Sequence, residues 1–156
     1  MKLAVFSVAA IFSVVTPTIA QDVANGEKEF RKCKACHMIQ DADGTDIVKG
    51  GGVGPNLWNV VGRNVASLEG FSYGDGIASV AAANPDMVWD EAHLTEYVTD
   101  PQAWIDANGG DGKTKMTFKM RKAQEDLVAY LVSVSPDAPA GDSADAADAD
   151  APAASN

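Results

Sequence analysis

The chain has 156 residues, with 12 Lys and Arg against 22 Asp and Glu, a formal net charge of −10 at pH 7. An acid excess of this size excludes nucleic acid as a partner, because phosphate backbones are held by basic side chains. Only two cysteines and two histidines are present, so metal or thiol chemistry is confined to one small cluster.

Residues 1–20 read as a secretory signal peptide. Leu3 to Val15 is apolar apart from Ser7 and Ser13, follows Lys2, and closes on Pro17 and the small-residue pattern Thr18-Ile19-Ala20. The apolar run is shorter than the roughly twenty residues a bilayer-spanning helix needs, which leaves an uncleaved anchor as the lesser reading. Residues 21–135 are then one domain. Asp22 can cap a first helix running to about Lys34, with Gly26, Phe30 and Cys33 close to one face.

Cys33-Lys34-Ala35-Cys36-His37 has the spacing of a c-type haem attachment site. Two thiols separated by two residues can add across the vinyl groups of one porphyrin while the next imidazole reaches its iron. Three other readings compete. Zinc would need four ligands, with His93 brought over from a distant helix. A thioredoxin-like dithiol opens a helix after a buried strand, whereas Gly26 to Lys32 is charged and helix-like. A structural disulfide is the plainest alternative. Haem is favoured, since export to an oxidising compartment agrees with permanent thioether attachment.

Downstream, Gly-rich loops run over Lys49 to Gly54 and Asn108 to Gly112, and short helical turns are expected at Ile77 to Ala83 and Pro101 to Asp106. Asp90 can cap a second main helix that carries Leu94, Tyr97 and Val98 and stops at Asp100-Pro101. A third, Lys122 to Val134, places Leu127, Tyr130, Leu131 and Val134 on one stripe. Strand signals are weak everywhere. The fold class is all-α, with three main helices, short helices and long loops around a core too thin to stand alone, which one covalent haem would fill. Residues 136–156, rich in Ala, Asp, Pro, Ser and Gly with no aromatic residue, read as a disordered acidic tail.

A second axial ligand must come from Met38, Met87, Met116, Met120 or His93. Met38 adjoins His37 and is tied to the same side of the ring. Met87 reads as core filler. Met116 lies in an irregular stretch between a Gly-rich loop and the last helix, and an extended loop can lay a thioether against iron without breaking a backbone ladder. It is the favoured ligand, with Met120 and His93 remaining open.

Read in order, Cys33-Lys-Ala-Cys-His37, Gly54-Pro55-Asn56-Leu57, Val61-Gly62-Arg63, Gly70-Phe71-Ser72-Tyr73, Trp89, Leu94 to Tyr97, Thr114-Lys115-Met116-Thr117-Phe118 and Asp126 to Leu131 form a series. The chain resembles the class I c-type cytochromes, most closely the bacterial periplasmic cytochrome c2 and c-550 group. The stretches Asp75 to Val88 and Gln102 to Lys113 are expanded relative to the shortest members. The resemblance implies the class I cytochrome c fold, haem c bound through Cys33 and Cys36, and iron held by His37 and Met116. It implies that the Pro55 carbonyl fixes His37, that Arg63, Tyr73 and Trp89 donate to the haem propionates, that Tyr97 lies beside the thioether sulfur, and that Phe118 screens the iron. Gly26 and Phe30 should meet Leu127 and Tyr130 where the terminal helices cross.

The function so implied is that of a monomeric periplasmic one-electron carrier of the respiratory chain, not an enzyme. It would run between a cytochrome bc1-type donor and a terminal oxidase or denitrification reductase. A haem enzyme or gas sensor with an open sixth position is the alternative. All basic residues after the leader fall between Lys28 and Arg63 or between Lys113 and Lys122, while Asn64 to Gly112 holds nine acids and no base. That sorting predicts a positive face presenting Lys28, Lys32, Lys34, Lys115 and Lys119 to acidic redox partners.

Overall fold

A computed structural model describes residues 21–139. The signal peptide expected over residues 1–20, and residues 140–156 of the disordered tail expected over 136–156, lie outside the described residues. The described chain forms five helices, α1 Val23–Phe30, α2 Asp75–Ala83, α3 Glu91–Thr99, α4 Pro101–Ala107 and α5 Gln124–Ser133, with one short hairpin of β1 Ile39–Gln40 and β2 Asp46–Val48.

The helix starts follow local chemistry. Asp22 caps α1 by accepting from the Asn25 amide, Asp90 caps α3 at the His93 amide, and Asp100 caps α4 at the Ala103 amide with Pro101 in its first turn. Asp100 also ends α3, so a single residue turns the chain between two helices. The short turn expected over Ile77 to Ala83 is a full helix beginning at Asp75. Helix α1 ends at Phe30, earlier than Lys34, and the chain continues as tight turns. α5 begins at Gln124, two residues later than the pattern predicts, because Ala123 is in the left-handed region at φ 60°, which breaks the helical run.

The β-hairpin is the one element the sequence did not announce. Ile39 pairs with Val48 and Gln40 with Asp46 around an irregularity. Its strands are too short to show alternation, and the turn is held by Asp41 Oδ1, which accepts from the amides of Asp43 and Thr45.

α1 crosses α5 at Gly26. A Cβ built there would lie 1.9 Å from the Asp126 carbonyl oxygen and 2.8 Å from Tyr130 Cβ, so only glycine lets the two backbones meet. Asp126 braces the crossing from the side, accepting from the Asp22 amide at 2.9 Å and from Asn25 Nδ2 at 2.7 Å. Phe30 packs against Tyr130 with ring centroids 5.7 Å apart and planes tilted by 59°, and Leu127, Val128 and Leu131 are buried behind them. The expected meeting of Gly26 and Phe30 with Leu127 and Tyr130 is what is found. Gly26→Ala is therefore expected to lower stability by about 1–3 kcal/mol through overpacking, a fall in melting temperature of roughly 5–20 °C for a domain of this size. Calorimetry of the holoprotein checks this, and an unchanged transition would mean the crossing tolerates a methyl group.

Past α5 the chain stays attached. Ser135 Oγ donates to the Leu131 carbonyl and accepts from the Val61 amide, and the Asp137 carboxylate accepts from Asn59 Nδ2 at 2.8 Å. These bonds tie the end of α5 to the loop that precedes Arg63.

Candidate functional site

The residues after α1 form a tight turn rather than a free loop. The Cys33 amide donates to the Phe30 carbonyl, and the amides of Cys36 and His37 both donate to the Cys33 carbonyl at 3.0 and 2.9 Å. A helical turn of this kind brings residues three and four apart onto one side, so Cys33, Cys36 and His37 share a face. All three line one partly enclosed cleft of about 280 Å³.

The Gly-rich loop anticipated at Lys49 to Gly54 lies directly on this turn. Gly51 N–H donates to the Lys34 carbonyl and Gly54 N–H to the Cys36 carbonyl. At Gly54 an added Cβ would stand 2.3 Å from His37 Cε1, so the imidazole packs flat on bare backbone. The next residue fixes the ring: His37 Nδ1 donates to the Pro55 carbonyl at 2.8 Å. That bond places the proton on Nδ1 and leaves the Nε2 lone pair available. Burial pulls the His37 pKa below the ordinary histidine value, which keeps the ring neutral, the form a metal takes.

The rest of the cleft is apolar, walled by Phe30, Leu57, Val60, Ile77, Leu94, Val98, Leu127 and Leu131 from four helices and one loop. Arg63, Tyr73 and Trp89 also line it. Arg63 donates through its two terminal nitrogens to the carbonyls of Trp58 and Asn56, but its buried Nε has no partner. Among the described residues the ion pairs are Lys32 with Glu29 and Lys119 with Asp100, so Arg63 meets no carboxylate. Burial lowers its pKa. A half-buried guanidinium without an anion is costly, and a carboxylate entering the cleft would satisfy it. The Tyr73 hydroxyl accepts from the Leu68 amide at 3.3 Å and keeps its own proton free to donate.

Met116 reaches the same cleft from the segment between α4 and α5, and Phe118, 39% exposed, lines its mouth. Thr114 shapes that segment. Its Oγ1 accepts from the Met116 amide and donates to the Met116 carbonyl, both at 3.1 Å, while its own amide donates to Gln102 Oε1. Met120, Met87 and His93, the other ligand candidates not tied to His37, do not line this cleft. Met120 is 2% exposed within the hydrophobic core, its amide bonded to the Val98 carbonyl. Met87 packs at the edge of that core. His93 lines a different, shallow cleft and accepts from Trp104.

The competing chemistries fare poorly. Cys33 and Cys36 are free thiols, and burial pushes the Cys33 thiol up to about 11, the opposite of a reactive dithiol, whose nucleophile is acidified. No group of three or more His, Cys, Asp or Glu is placed to share a metal ion among the described residues, and His93 lies away from the two cysteines. The cleft instead fits a flat apolar group that carries carboxylates, attaches to two neighbouring thiols and accepts an imidazole ligand. Haem c has those properties.

Sequence reasoning missed the supports. Asn56 clamps the loop after Pro55 by accepting from the amides of Gln40 and Trp58 and donating to the Gln40 carbonyl. Gln102 and Thr114 latch the Met116 segment. The Asn following Gly-Pro was a legible signal for the first, and nothing in a single sequence marks the second.

No family model matches the chain. Individual relatives do. Cytochrome c-550 of Paracoccus versutus is 61% identical over 142 residues, covering 88% of this chain and 92% of that protein. The X-ray structure of ferric cytochrome c-550 from Paracoccus versutus superposes with a TM-score of 0.73 at 65% identity, covering 75% of this chain and all of that one. Cytochrome c2 of Rhodobacter capsulatus, solved at 2.5 Å, gives a TM-score of 0.68 at 46% identity over 72% of this chain and 97% of the other. With its fold, its cleft and these relatives in agreement, the chain belongs to the class I c-type cytochromes of the c2 and c-550 group, electron carriers rather than enzymes that hold one covalent haem c.

Proposed function

We propose that this chain is an exported, monomeric one-electron carrier of the periplasm, with haem c attached through Cys33 and Cys36 and its iron ligated by His37 and Met116. The observation that carries this reading is that His37, oriented by Pro55, and Met116, latched by Thr114, line one apolar cleft. When bound, haem c supplies a couple that exchanges a single electron. His37 and Met116 would both hold its iron, leaving no position open to an outside ligand, and Phe118 with the apolar walls would keep water out of the cleft. Exclusion of water disfavours the more highly charged oxidised state, and Met with His raises the reduction potential further. Arg63, Tyr73 and Trp89 supply hydrogen-bond donors for the propionates, and Arg63 also neutralises their charge.

The partners, by likeness to the family, are a cytochrome bc1-type donor and a terminal oxidase or denitrification reductase as acceptor. Residues 1–20 serve as the cleaved leader, 21–135 as the redox domain and 136–156 as an acidic tail. Lys28, Lys32, Lys34, Lys115 and Lys119 are the docking residues, and all five are exposed. Two of them already have acids beside them, Lys32 with Glu29 and Lys119 with Asp100, so Lys28, Lys34 and Lys115 should dominate the attraction.

Electron exchange with an acidic partner is therefore expected to slow by about tenfold or more as salt rises from 10 to 300 mM, as the Debye length shrinks below about 10 Å. Stopped-flow oxidation by a c-type cytochrome oxidase measures it. Lys34→Glu and Lys115→Glu should flatten the salt dependence more than Lys119→Glu does. A rate indifferent to salt removes the docking assignment, while rapid binding of carbon monoxide to the reduced native protein would favour the enzyme or sensor reading.

A further inference from the structure

One polar contact on the surface leads inward to the cleft wall. Trp104 on α4 is 2% exposed, and its indole Nε1 donates to Nδ1 of His93 on α3 at 3.3 Å. The two rings meet edge to face at 83°. On its other side Trp104 stacks on Trp89 with centroids 4.9 Å apart at 27°, and Tyr97 closes edge-on against Trp104 at 5.3 Å and tilted by 59° against Trp89 at 5.0 Å. Trp89 and Tyr97 line the cleft, whereas Trp104 and His93 do not.

Stacking fixes the separation of two indoles but resists sliding and in-plane rotation only weakly, because the contact is broad and non-directional. A hydrogen bond is directional. The directional bond on the Trp104 indole is the one to His93, and His93 is itself anchored, since its backbone amide is the one that Asp90 caps at 2.7 Å. Accepting through Nδ1 leaves the imidazole proton on Nε2, on the side of the shallow cleft that His93 shares with Asp86 and Asp90.

We propose that His93 and Trp104 are positioning residues for the redox centre: the Trp104 N–H to His93 bond sets the orientation of the Trp104 ring, and that ring holds the Trp89 indole in register with the cleft. This rests on the reading of Trp89 as a propionate donor. A displaced Trp89 leaves a carboxylate less neutralised, which stabilises the oxidised state and lowers the reduction potential.

The test uses the holoprotein at pH 8, with the potential taken from mediated redox titration and solvent exchange of the Trp89 indole N–H followed by proton-nitrogen NMR. Trp104→Phe keeps a stacking ring without the donor, His93→Ala removes the acceptor, and His93→Asn returns an acceptor oxygen near the Nδ1 position. Trp104→Phe and His93→Ala are expected to lower the potential and speed Trp89 N–H exchange by about tenfold, and His93→Asn to restore both. Unchanged Trp89 exchange in Trp104→Phe and His93→Ala overturns the positioning role. Failure of His93→Asn to restore overturns the hydrogen bond as its cause. Trp89→Phe separates the two readings: an unchanged potential there sinks the propionate assignment, while the exchange data still report on the positioning.

Discussion

Met116→Ala is expected to abolish the weak sulfur-to-iron absorption at the red end of the visible spectrum, to lower the reduction potential by on the order of 0.2 V, and to admit carbon monoxide to the reduced protein. Met116 lines the cleft and is held there by paired bonds between its backbone and Thr114 Oγ1, so its thioether is delivered by a segment with no helical or sheet ladder to disturb. Met120 is four residues further on, 2% exposed among the core side chains and bonded through its amide to Val98. Met120→Ala should therefore act as a core truncation, costing about 2–5 kcal/mol, with the absorption band retained. His93→Ala should also retain the band, because that imidazole is engaged by Trp104. A red-end band that survives in Met116→Ala and disappears in Met120→Ala would reverse the assignment. Thr114→Val offers a graded version: it keeps the shape of the side chain, removes both bonds to the Met116 backbone, and should weaken the band and raise carbon monoxide affinity without abolishing ligation.

Much of this arrangement is legible in one sequence because its causes are local. Asp22 and Asp90 announce helix starts through the short carboxylate that caps an amide, and Asp100-Pro101 marks the end of α3, though its cap of α4 is seen only in the fold. Cys33 to His37 announces its chemistry through spacing alone. The stripe of Leu127, Tyr130 and Leu131 identifies α5 and the face it buries. What the sequence withholds depends on contacts between distant segments. The β-hairpin is too short to carry a period, and its stability comes from Asn56 bridging to Gln40 across sixteen positions. The left-handed Ala123 that delays α5 has no compositional signature, since glycine or asparagine would be expected there. The Gln102 to Thr114 latch joins residues whose types are ordinary anywhere. Arg63 was recognisable as a propionate donor only through the family resemblance; its unpartnered Nε, the physical sign that an anion belongs beside it, appears only once the chain is folded.

Gly54→Ala is expected to act directly on the His37 ring, reducing the yield of holoprotein severalfold and weakening ligation by His37 in what does form. The added Cβ would fall 2.3 Å from His37 Cε1, 2.6 Å from Nδ1 and 2.7 Å from Nε2, far inside van der Waals contact with the face of the ring. Two escapes exist, and each removes something the site needs. If the imidazole swings away, it loses the Pro55 carbonyl now 2.8 Å from Nδ1, and with it the bond that selects the tautomer and aims Nε2. If the loop moves instead, the Gly54 amide leaves the Cys36 carbonyl, and the turn that holds both thiols beside His37 loses its outer support. The conformation at Gly54 lies outside the positive-φ set, so the penalty is steric rather than a backbone preference, and a methyl group cannot be accommodated by changing dihedral angles alone. Absorbance of the attached haem per polypeptide gives the yield, and the pH at which the red-end band is lost gives the strength of ligation. Wild-type values on both measures in Gly54→Ala would mean that His37 is not packed on this loop in the mature protein and that the imidazole takes a different orientation.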